Sequence, residues 1–141
     1  MIKFLSLLLF TTTAFASTLI LEKTATSGHT LPENSFTKEC RVYLEGQVEA
    51  TTISGDGTAI GFARTIDGIN IHVIKGLNHL AKDGKIETTP MPCDAGSTIV
   101  KGFHEGKEIE IESSLDCGEK RLNTTKAASV LRSMAREICG F

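Results

Sequence analysis

Four cysteines, at positions 40, 93, 117 and 139, constrain this chain more than any other feature. No two of them stand at the CxxC-like spacing that zinc sites use, whereas a small secreted domain uses such residues as disulfides. Four cysteines allow three pairings. Cys93 and Cys117 lie symmetrically about Glu105-Gly106, which separates two alternating runs, 97–103 and 107–113. A hairpin folded there brings Cys93 to Cys117 and leaves Cys40 for Cys139. Closing loops of 25 and 100 residues would contribute about 3 to 5 kcal/mol each on a chain-entropy account.

The disulfide reading needs an oxidising compartment, and the N-terminus supplies the case for one. Met1-Ile2-Lys3 precedes an apolar run interrupted only by Ser6, and Ala14-Phe15-Ala16 follows. One positive charge, a short apolar core and a small-x-small end form a secretory signal peptide. The run is well short of the roughly 20 residues that span a bilayer. Cleavage after Ala16 would leave residues 17–141 as a single secreted or periplasmic domain, with no membrane attachment. Without Lys3, 14 basic residues face 17 acidic ones, which excludes the concentrated positive footprint of a nucleic-acid binder.

Hydrophobic patterning gives the elements. Leu19 to Leu21 reads as an edge strand, and 24–36, with Gly28, Pro32 and Asn34, as loop. Residues 40–50 alternate cleanly between apolar and polar, the mark of a strand with one buried face; Gly46 stands there as a bulge or a hairpin turn. Asp67-Gly68 between 59–66 and 69–74 predicts a type I′ hairpin. Gly76 to Lys82 carries one or two helical turns. The prolines at 90 and 92 force an extended segment before Cys93. The last element is the clearest: a helix capped by Asn123 or Thr124, with Ala127, Val130, Leu131, Met134 and Ile138 as its apolar stripe and Gly140 at its end. The expected fold is α+β: an antiparallel, meander-like sheet of five or six strands, one face covered by the C-terminal amphipathic helix, with two disulfides.

No motif carries chemistry strongly. His104-Glu105 begins like a zinc-protease HExxH helix, but Glu108 stands where the second histidine belongs and Gly106 interrupts it. There is no Gly-x-Ser-x-Gly elbow, and the disulfides leave no free thiol. No catalytic residue, metal or cofactor is therefore expected. The stretch best suited to contact is Pro90-Met91-Pro92, stiffened by its prolines and anchored by Cys93, since a pre-organised loop loses little entropy on docking. The sequence points to a non-enzymatic module that binds an unidentified protein partner through this loop or through the open sheet face. Inhibition of a secreted hydrolase, with Met91 offered to a specificity pocket, is its narrower form. The rival readings are a small secreted hydrolase using His72 or His104, and a carrier of a small apolar ligand between sheet and helix. Asn123-Thr124-Thr125 also fits a glycosylation sequon.

Overall fold

Three tight turns organise the chain, each made possible by a glycine with positive φ: Gly46, Gly57 and Gly106. In the computed structural model, which describes residues 17–28, 30–66 and 70–141, they close hairpins. The strands are β1 (Leu19–Thr26), β2 (Phe36–Tyr43), β3 (Gln47–Ser54) and β4 (Ala59–Thr65), then β5 (Ile86–Pro90), β6 (Ser97–His104), β7 (Lys107–Ser114) and β8 (Glu119–Asn123). The helices are α1 (Ile71–Ala81) and α2 (Lys126–Cys139). All eight strands form one antiparallel sheet in the order β4-β3-β2-β1-β6-β7-β8-β5. Working outwards from the central β1–β6 pair, β2-β3-β4 runs to one side and ends in α1. The β7-β8 pair runs to the other and ends in α2, so the two halves echo each other.

The expected class and both disulfides, Cys40–Cys139 and Cys93–Cys117, are present. The strand and helix numbers differ from expectation, eight and two among the described residues. The segment read as the second strand of an Asp67-Gly68 hairpin is α1 from residue 71 onwards, and residues 67–69 lie outside the described residues. Asn70 caps this helix by accepting from the His72 N–H. Ile74, Asn78 and Ala81 form its buried stripe; the polar Asn78 disguises this helical period, and the alternation of Ile69, Ile71 and Val73 in sequence imitates a strand. β1 is central, not an edge strand. The cap of α2 is Thr125, whose hydroxyl accepts from Ala128 N–H. Val130 is exposed, and the buried face comprises Ala127, Ala128, Leu131, Ala135 and Ile138.

Both helices lie on the same side of the sheet, over a core of Ile20, Leu21, Cys40, Val42, Val48, Val100, Ile109 and Ile111. Two buried asparagines tie the layers together. The Asn78 side-chain amide donates to the carbonyls of Ile20 (2.7 Å) and Phe103 (3.1 Å), beside a register shift in β1. Asn123 Nδ2 donates to the Ala81 carbonyl at the end of α1 and to that of Glu110. Its amide is fully enclosed by these bonds, so the folded protein offers no nitrogen for glycosylation at the sequon. Among the described residues no helix is long and apolar enough to cross a membrane.

Candidate functional site

The two edges of the sheet differ in how they meet solvent. β5 is five residues long, carries Glu87 and ends at Pro90, all features that discourage addition of another strand. β4, at the opposite edge, is longer and contains no proline. Its seven residues are all exposed, and Ile60 and Phe62 are 70% and 59% accessible. Its one charged residue is Arg64, whose guanidinium donates to the Ile138 carbonyl at the end of α2.

Register shows which way these side chains face. Phe62 pairs with Ala50, and Ala50 with Cys40, whose disulfide reaches α2; Phe62 is therefore on the helix side. Ile60 lies across from Thr52, and Thr52 from Lys38, on that same side. The helical layer stops short of this corner, leaving an apolar shelf of Phe36, Ile60 and Phe62 beside the C-terminal end of α2. Lysines border it. Lys38 Nζ sits 5.2 Å from the Phe36 ring centre and 5.6 Å from that of Phe141, and Lys23 Nζ 4.8 Å from Phe141. Lys23 is 6% accessible. Burial first, and the Arg136 charge second, hold its pKa below the ordinary lysine range, against an opposing pull from Glu112.

Among the described residues the other sheet face bears no helix, and it is laced with ion pairs. Arg41 Nε meets Glu22 at 3.1 Å, Lys101 meets Glu108 at 3.0 Å, and Arg121 binds Glu110 through two nitrogens at 2.8 and 3.0 Å. A register shift beside Val100 places Glu112 across from that buried residue and near Lys120, so the glutamates of β7 do not share one face. Tyr43 donates to Glu49 Oε2 at 2.8 Å. Burial, then this hydrogen bond and the carboxylate charge, raise the phenol pKa above its usual value. Tyr43 is the sole tyrosine, so an ultraviolet titration reads it directly. Its midpoint should lie above about 10 in the folded protein, fall on denaturation, and fall in Glu49→Gln. The linkage sign follows: this contribution to stability is complete below the unfolded-state pKa and is lost as pH rises through the folded one.

The proline loop continues the β5 edge. Met91 N–H donates to the Gly118 carbonyl, and the Met91 side chain is half-buried, while Pro90 and Pro92 are exposed. The Cys93–Cys117 disulfide anchors the segment, and Asp94 and Cys117 have positive φ. The loop is about as far along the sheet from the β4 shelf as the strand order allows.

The histidines fall into different settings. His72 is exposed on the first turn of α1, and His29 lies outside the described residues. His104 ends β6, lines an apolar cleft of about 340 Å³ with Leu19, Ile20, Leu44 and Phe103, and meets His79 of α1. Among the described residues, no hydroxyl or carboxylate is within hydrogen-bond distance of either the His72 or the His104 ring; the Glu105 carboxylate is 3.8 Å from His104 Nε2. Sequence reading singled out neither the shelf nor the His79–His104 pair. The hairpin expected at Asp67-Gly68 would have paired 59–66 with a second strand, whereas 71–81 is helical, and the two histidines stand 25 residues apart on unlike elements. Comparison with known protein families, with curated proteins and with solved structures found no match.

Proposed function

We propose that this protein is a non-enzymatic, secreted or periplasmic module that binds another protein at the β4 edge. The observation that carries the proposal is the contrast between the edges: β5 is short and ends in proline, while β4 is longer, fully exposed and carries Ile60 and Phe62. An unpaired strand edge offers a ladder of backbone donors and acceptors, and alternate side-chain positions supply specificity. The partner would add a strand to β4 and seat apolar side chains on Phe36, Ile60 and Phe62. Lys38, over the Phe36 ring beside that shelf, favours a segment that also carries an acidic group. Two disulfides and the signal-like N-terminus support the compartment.

Phe62→Asp is the direct test. The site is exposed, so folding should survive, and capture of partners from secreted and envelope proteins should drop at least tenfold, on the order of 1.4 kcal/mol. Equal capture by both forms would refute the β4 site. The narrower reading, inhibition of a hydrolase through Pro90-Met91-Pro92, draws support from the anchoring disulfide and the exposed prolines.

A further inference from the structure

We infer that His79 and His104 form a two-imidazole site for a late first-row divalent cation, of which Zn²⁺ and Cu²⁺ are the best matched. Among the described residues no group of three or more histidine, cysteine, aspartate or glutamate side chains is gathered for a metal. The site therefore stands on two nitrogens, with its remaining positions open to water.

His79 Nδ1 and His104 Nε2 are 3.1 Å apart, with ring centres 4.9 Å apart and planes inclined at 63°. A cation about 2.05 Å from each nitrogen, along each lone pair, would put the ring centres about 4.8 Å apart at this nitrogen separation. Without a metal the two rings share an ordinary N–H···N hydrogen bond whose direction depends on the tautomer, and the same spacing also suits a cation placed beside the pair. The angle subtended there is about 98°, between the square-planar and tetrahedral values that suit Cu²⁺ and Zn²⁺.

Access and surroundings agree. His104 Nδ1 is buried and without a partner among the described residues, so Nε2 is the nitrogen through which this ring meets a ligand. His79 is exposed. Glu105 sits on the turn between β6 and β7, its side chain 82% accessible and its Oε1 3.8 Å from His104 Nε2. One rotamer change would bring that carboxylate in as a third ligand. Lys82, Asp83, Lys107 and Glu108 line the cleft on that side of His104. With no acceptor behind His104 Nδ1, the site lacks the outer partner that usually strengthens a histidine ligand, which sets a weak, exchangeable affinity. A bound ion would pin α1 to the β6–β7 turn.

The test titrates the oxidised, chelator-stripped protein with Zn²⁺ alone. Calorimetry gives the affinity, and histidine-ring NMR identifies the ligands. Saturable binding should move the ring signals of His79 and His104 and leave those of His72 in place. Zn²⁺ at tenfold over its Kd should raise the Tm by about 4 to 7 °C. His79→Ala, at an exposed position, should keep the metal-free Tm, weaken binding at least tenfold and abolish the rise. Glu105→Gln should weaken binding less than His79→Ala does. The inference is overturned by no saturable binding at millimolar Zn²⁺, by an affinity that His79→Ala changes less than threefold, or by ring shifts at His72 or His29 instead. If His104→Gln fails to fold, His79→Ala alone decides the outcome.

Discussion

Replacing Cys40 and Cys139 together by alanine should lower the stability of the protein by about 5 kcal/mol, the largest effect of any change to the chain. The loop they close spans nearly the whole described domain, with a sequence separation of 99, and a loop of that size contributes about 4.7 kcal/mol through unfolded-state entropy. Cys40 is fully buried between β1 and β3, so losing its sulfur also leaves unfilled space against α2. Cys93 and Cys117 are exposed and only 24 apart; the matching double alanine variant should cost about 3.5 kcal/mol. Urea unfolding of the two variants tests the order. Mild reductant should also open the exposed Cys93–Cys117 bridge before the enclosed one. A Cys40/Cys139 variant as stable as the parent would mean that α2 is held by packing alone.

Gly102→Ala should destabilise the protein by about 3 kcal/mol. Gly102 is buried in the central strand β6, and a Cβ there would stand 2.2 Å from Asn78 Oδ1. Asn78 cannot simply step away. Its amide holds the carbonyls of Ile20 and Phe103 under α1, and releasing them leaves buried acceptors unpaired at about 1 to 3 kcal/mol each. Gly61→Ala is the control. It lies on exposed β4 with the nearest atom, Thr51 Oγ1, at 3.1 Å, and should change stability by less than about 1 kcal/mol. Denaturant midpoints showing equal effects at the two glycines would contradict this packing account.

The parts of this fold that sequence reveals are those where one physical rule acts undisturbed. The strands on either side of Gly46 alternate cleanly, those around Gly106 do so as far as the register shift beside Val100, and both turns use glycines with positive φ. The symmetry of Cys93 and Cys117 about the second turn then leaves a single pairing for Cys40. β1 is hard to read because a register shift beside Leu19 and Leu21 buries Ile20 and Leu21 in succession, and Lys23 then points inwards. β8 is short and mostly charged, and gains its place through pairing with β7 and β5. α1 hides its buried stripe behind a polar residue, Asn78, whose value lies in the carbonyls it satisfies. The β4 shelf was beyond reach for a different reason. Whether a strand is an edge depends on strand order, and nothing within 59–65 encodes the order of the other seven.

Site-specific photo-crosslinking in the presence of secreted and envelope proteins tests the central claim most directly. Probes would be placed at Phe62 on β4, at Met91 in the proline loop and at exposed Val130 on α2, where no contact is expected. The β4 account predicts a discrete protein adduct from position 62 and none from position 130. An adduct from position 91 alone would move the site to the proline loop. Adducts from position 130 alone, or from no position, would contradict the proposal that this protein works by binding another at its open sheet edge.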